Sequence, residues 1–381
     1  MQWTKASEAL VEADVLEGRT ARRAASSACS PVIIASVSVR TCGVSPSGYA
    51  LLRGMADACA PVQHVPVNAA MRTTTTILAV AVAYYATAKV GLVLALVKGQ
   101  VTPLWLPTGI SVAALLMSGR KIWPGIALGA LTANIELGAG LGAVVVITIG
   151  NTAAPLAAWY LLTRFGFRTQ LDRLKDALLL VFAGALGAML ISSVIGTTAL
   201  TLDGVIPWQE IPAVLSVWWT GDAMGVLVFT PLLLTLTRHW HAPPRRVAEA
   251  AALLVVTAVL ASFVTMSEAR LLFLVFPMLI WAALRFQHAI AAPCAAIISV
   301  AAVMSAAGGL FVQGDLLATM IVLQAYNGSV ALTGLILSAV TSERNQARET
   351  IERACLQLAE TVANYQEEGV RKRLGRVVPP A

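Results

Sequence analysis

Residues 212–236 read PAVLSVWWTGDAMGVLVFTPLLLTL, and the fold follows from this run. At about 1.5 Å per residue it is long enough to cross a bilayer core of roughly 30 Å. One charge, Asp222, lies near its middle. A carboxylate at that depth costs on the order of 3 kcal/mol on insertion scales, so it should face protein or a water-filled cavity. That makes Asp222 a functional candidate, and the other hydrophobic runs become the bundle that shelters it.

Composition agrees. The chain has 381 residues, 57% hydrophobic and only 12% charged, with a mean hydropathy of +0.76. Soluble chains carry about 25% charged residues. Apolar runs of this length recur, which predicts an all-α integral membrane protein, a polytopic bundle of about 8–10 transmembrane helices in contact with membrane lipid. The runs are too continuous for the alternating strands of an outer-membrane barrel. A net charge of +7 is explained by basic residues in cytoplasmic loops rather than by nucleic acid. The cysteines at 29, 42, 59, 294 and 355 form no C-x-x-C pair, so no disulfide framework or metal site is expected. The only histidine cluster, His239-Trp240-His241, lies in a loop and does not place two rings on one helix face.

Residues 1–70 differ from the rest of the chain. Their one apolar stretch, 31–39, is too short to span, and Met71-Arg72 precedes a long apolar run as a membrane-protein start would. We therefore expect 1–70 to be a disordered extension or a misassigned start. Ten candidate spans come after it, at roughly 75–97, 103–118, 122–137, 141–163, 176–200, 212–236, 247–266, 271–285, 288–308 and 317–341. The second, third and eighth are short.

The loops give an independent check. Even-numbered exits carry Arg120, Lys121, Arg164, Arg168, Arg173, Lys175, Arg238, Arg245, Arg246 and Arg285, whereas odd-numbered exits carry only Lys98 and Arg270. That alternation places both termini in the cytoplasm. Glu136, Asp203, Glu210, Glu268 and Asp315 fall on the opposite, outer face. Small residues four apart at Gly125/Gly129, Gly138/Gly142 and Ala183/Gly187 predict close helix packing.

Three polar residues share a predicted depth: Asp222, Lys89 and Asn151. A Lys–Asp pair would relieve the cost of both charges, so one buried polar layer of these three is expected. The neighbouring Trp218 and Trp219, and Pro107 with Gly109 in an interrupted run, complete the candidate sensing residues. Beyond the last span, Ile351, Cys355, Leu358 and Val362 recur at spacings of four and three, which is about two heptads. Ile351, Leu358 and Val362 are the candidate relay residues. No phosphate-binding loop, dinucleotide fingerprint, kinase loop or nucleophile elbow occurs. No catalytic residue, cofactor or metal is expected.

LWLPTGISVAALLMSGRKIWPGIALGA (104–130), IGNTAAP (149–155), FRTQLDRLKDALLLV (167–181), WWTGDAMGVLVFTPLLL (218–234), RLLFLVFPMLIWAALRF (270–286) and ALTGLILSAVTSER (331–344) together resemble the first family of membrane-associated sensor domains. The resemblance implies a bacterial inner-membrane input module of signal transduction, usually set before a histidine kinase, a diguanylate cyclase or a related output. Thr152-Ala153-Ala154 departs from the Leu-Glu-Ala type sequence that the family leads one to expect. Tyr365–Val377 is similar to the run before the phospho-accepting histidine of one kinase class, where Pro379 and Pro380 stand in place of a His-Asp pair.

The expected organisation is thus an extension at 1–70, a sensor domain at 72–341, and a helical linker with a basic tail at 342–381 lacking its own output domain. The protein is read as a sensor and not an enzyme, homodimeric through 342–368 and served by a separate kinase or cyclase. The rival is a secondary transporter of a small polar or cationic solute, since ten spans divide into two inverted halves. The interrupted run at 103–118 has no broken counterpart at 247–266, which weighs against it.

Overall fold

The computed structural model describes residues 69–93, 102–136, 140–237, 242–266, 271–308 and 316–377. All of them lie in the compact unit Val67–Ala381. The expectation for residues 1–68 and the His239-Trp240-His241 loop lie outside the described residues.

The described residues form helices and no strands. In chain order these are α1 (Ala69–Val93), α2 (Leu106–Ser118), α3 (Trp123–Ile135), α4 (Leu141–Arg164), α5 (Leu174–Leu202), α6 (Ile211–Leu236), α7 (Pro244–Met266), α8 (Phe276–Phe286), α9 (His288–Ala307) and α10 (Leu316–Val377). Among the described residues, seven helices are long and apolar enough to cross a membrane. The remaining three, α2, α3 and α8, are the ones whose runs are short in the sequence. The protein is an all-α, multi-pass membrane protein.

Prolines mark several starts. Pro107, Pro124, Pro212 and Pro277 sit in the first turns of α2, α3, α6 and α8, where a missing N–H costs nothing. Pro107 therefore opens an ordinary helix. The interruption lies just before it: buried Thr102–Leu104 and Trp105 precede the helix. The Trp105 N–H donates to the Gly221 carbonyl at 3.0 Å. Gln324 Nε2 donates to the Pro103 carbonyl at 2.9 Å. Irregular backbone at membrane depth needs such cover.

Glycines set the tightest approaches. A Cβ on Gly125 would lie 2.3 Å from the Ile77 carbonyl oxygen, and one on Gly129 would lie 2.6 Å from Tyr84 Cβ, so α1 and α3 pack on this pair as expected. The other two expected pairs differ. Gly142 has open space around it, and Gly187 approaches only Phe182 of its own helix. Gly187 ends a π-helical stretch, Leu180–Gly187. The closest contact in the bundle is elsewhere. A Cβ on Gly225 would lie 2.0 Å from the Trp105 oxygen, one on Gly109 2.2 Å from the Gly225 oxygen, and one on Gly221 2.4 Å from the Thr102 oxygen. Gly221 and Gly225 flank Asp222 at four-residue spacing, the small-xxx-small pattern that lets backbones touch.

α10 runs unbroken for 62 residues, or about 93 Å. Its first half packs on α6, α8 and α9. Its exit is held by the α4–α5 connection, where the Leu174 N–H donates to Glu343 Oε1 at 3.1 Å and Gln346 Nε2 to Asp172 Oδ2 at 3.0 Å. Beyond that point Ile351, Leu358, Val362 and Tyr365 are exposed.

Candidate functional site

Asp222 is 1% exposed. The close approach of α2 to α6, forced by glycines, brings Thr108 to it: Thr108 Oγ1 donates to Asp222 Oδ1 at 2.6 Å. From α5, Ser192 Oγ donates to Asp222 Oδ2. The Trp218 indole, one turn earlier on α6, also lies against the carboxyl. Among the described residues Asp222 makes no ion pair. Two hydroxyl donors from two neighbouring helices therefore hold one buried carboxyl, and hydrogen bonds to a charged group are the stronger kind.

A second ring of residues encloses this one. Tyr84 of α1 is buried beside Trp105 and Asn151, and within the field of Asp222. Asn151, like Asp222, is buried. Trp218 fills the space over Gly196, where a Cβ would lie 2.4 Å from its ring. Trp219 points the other way, its Nε1 donating to the Leu186 carbonyl at 2.8 Å. That carbonyl belongs to the π-helical stretch, whose wide turn frees backbone acceptors.

Lys89 does not join this layer. It pairs with Glu136, near the end of α3, and both side chains are nearly half exposed. Tyr85 completes that group: its hydroxyl donates to Glu136 Oε1 at 2.7 Å, and Lys89 Nζ lies 5.4 Å from its ring centroid. The expected Lys89–Asp222 pair is corrected on this geometry. Lys89 reaches outward to water and a carboxylate, which costs less than turning into an apolar core.

Sequence reasoning named Gly109 but missed Thr108, Ser192, Tyr84, Gly221 and Gly225. The Gly221-x-x-x-Gly225 spacing around Asp222 was the readable signal. Also missed was Asn327 of α10. It is fully buried, and neither its amide nitrogen nor its oxygen has a hydrogen-bond partner among the described residues. Its neighbour Gly328 faces Met224 of α6, so α10 packs on the Asp222 helix at this level. Among the described residues no group of three or more His, Cys, Asp or Glu is placed to hold a metal.

The site holds no nucleophile–base pair. It is a buried acceptor whose hydroxyl donors come from α2 and α5.

Comparison with known proteins points the same way. The MASE1 family model matches residues 76–345. Probable diguanylate cyclase DgcE of Escherichia coli (strain K12) is 27% identical over 203 residues, covering 50% of this chain and 17% of that protein. The chain thus spans only a small part of that relative's length. No solved structure matches the chain.

Proposed function

The chain belongs to the MASE1 family of membrane-associated sensor domains, and on that premise we propose how this membrane input module receives and passes its signal. A polar or cationic ligand approaches from the end of the bundle carrying Glu136, Asp203 and Glu210. Its arrival changes which donors satisfy Asp222. α6 and α10 pack on each other at this level, so a change in the donor set alters the seat of α10. The helix then carries a rotation or shift to residues 342–377.

The observation that carries this reading is α10 itself. One unbroken helix contributes Gln324 and Asn327 to the buried layer and then presents Ile351, Leu358 and Val362 to solvent. A two-state relay needs an element that touches both places, and a ligand that binds one state better.

In this reading the protein sits in a bacterial inner membrane with both termini cytoplasmic. It forms a homodimer through 342–368, and the described residues contribute no catalytic group. A separate kinase or cyclase receives the signal; the name of the Escherichia coli relative favours a cyclase.

Cross-linking of single cysteines in a background with all five native cysteines (29, 42, 59, 294 and 355) replaced by serine tests the dimer. Leu358→Cys and Val362→Cys should form disulfide-linked dimers in membranes, and Glu360→Cys, on another face, should not. Equal cross-linking at all three positions would remove the helix pair from the account.

A further inference from the structure

We propose that a second site, at the end of the bundle where α10 leaves it, binds a phosphate-bearing ligand. The site goes beyond the sensing layer and does not depend on the chain's being a sensor. Thr235, which lines it, lies 13 residues after Asp222 on the same helix, so the two are separated by about 20 Å.

A cavity of about 440 Å³ opens there among Asp172, Arg246, Arg285, His288, Ser342 and Gln346. Three kinds of donor converge on it. The first is the start of α9. Gln287 adopts φ +54°, and the following 20-residue helix begins with no side-chain cap. Its first-turn N–H groups and the positive end of its dipole are therefore open to an anion. The second is Arg246. Its Nη2 donates to the Arg285 carbonyl at 3.2 Å, and its guanidinium lies 5.9 Å from the Phe286 ring centroid. It forms no ion pair with any described residue, unlike Arg285, which is held by Glu249. The third is Ser342 of α10, which is only 7% exposed. Its hydroxyl lines the cavity and makes no hydrogen bond with a described residue. A helical serine normally donates to the carbonyl four residues back, so this buried donor has an unused role.

These donors suit an anion with several oxygens. A guanidinium and a helix N-terminus each recognise phosphate, and the hydroxyl adds a third direction. Asp172 adds a different preference. Its Oδ2 accepts from Gln346, while its Oδ1 is buried without a partner. A ligand carrying a hydroxyl or ammonium beside its phosphate would satisfy that oxygen. Basic pockets between helices at a membrane surface bind phospholipid headgroups this way, and a small soluble phosphate has the same chemistry. Either would bridge α7 and α9 to Ser342 and Gln346, the residues that fix where α10 exits.

The test uses the full chain, purified in detergent and stripped of lipid. Native mass spectrometry follows titration with dioleoyl phosphatidylethanolamine, dioleoylglycerol as the phosphate-free control, and inorganic phosphate as competitor. One saturable phospholipid adduct is expected, with no dioleoylglycerol adduct. Arg246→Gln should weaken it about tenfold and Ser342→Ala about fivefold, with thermal midpoints near the parent's. Displacement by millimolar inorganic phosphate would identify the soluble source, and resistance to it the headgroup. An absent adduct, or one unchanged in both variants, would overturn the proposal. Should Arg246→Gln fail to fold, Ser342→Ala, which removes a single oxygen, decides the matter alone.

Discussion

Thr108→Val is the sharpest probe of how the buried carboxyl is held. The substitution keeps the side-chain shape and removes one hydroxyl. Thr108 Oγ1 donates to Asp222 Oδ1 at 2.6 Å, and that carboxyl is 1% exposed with no cation beside it. A hydrogen bond to a charged group contributes about 1.5–3 kcal/mol, so Thr108→Val should destabilise by about 2 kcal/mol. Asp222→Leu removes the acceptor and leaves two buried hydroxyls to find others. The Ser192 oxygen also lies 3.0 Å from the Met189 carbonyl, so its one proton can turn there once the carboxyl is gone, and it loses less than Thr108. The double variant should therefore cost less than the sum of the single ones, with a coupling of about 1 kcal/mol or more. Unfolding in mixed micelles of a mild detergent and dodecyl sulfate measures all four corners of the cycle. A Thr108→Val change within about 0.5 kcal/mol of the parent, or strict additivity, would refute a hydroxyl-held carboxyl.

Other substitutions separate features that look alike in sequence. Gly225→Ala would put a methyl 2.0 Å from the Trp105 oxygen, whereas Gly142→Ala meets nothing within 4 Å; the first should cost more than about 3 kcal/mol or abolish folding, and the second should leave the thermal midpoint unchanged or slightly raised. Lys89→Ala breaks a half-exposed pair and should cost no more than about 1 kcal/mol in the same unfolding assay, far less than a buried pair with Asp222 would. Asn327→Leu removes two buried, unpaired polar atoms and should stabilise by about 1 kcal/mol or more; a destabilised variant would mean that the amide is satisfied in a way the described residues do not reveal.

Depth was legible in the sequence, and azimuth was not. Counting along each apolar run placed Asp222, Asn151 and Lys89 at similar heights; Asp222 and Asn151 are buried, and Lys89 is not. Lys89 turns out of the bundle because the face of a helix depends on rotation, which a nearly uniform apolar run does not reveal. α1 is apolar almost all round, so neither face declares itself. The π-helical stretch compounds this in α5. Its extra residue per turn rotates everything after Gly187, Ser192 included, relative to a regular helix. Thr108 and Ser192 were hidden for another reason. Thr148, Thr152, Thr201 and Thr257 all donate to the carbonyl four residues earlier, the ordinary fate of a hydroxyl in a membrane helix, and nothing local marks the two that do otherwise. The ten helices among the described residues, by contrast, agree with the ten runs legible from length and loop charge.

In the proposed relay the state of Asp222 sets the position of α10 beyond the bundle. Asp222→Asn keeps the shape, removes the charge and replaces one acceptor oxygen with a donor. Single cysteines at positions 351, 355, 358 and 362, each alone in a background lacking every other native cysteine, report the face that α10 presents to a partner. Asp222→Asn should lower the thermal midpoint, because both hydroxyls lose a charged acceptor, and at temperatures where both proteins stay folded it should redistribute disulfide cross-linking among these four positions. An identical cross-linking pattern with and without the Asp222 charge would contradict it.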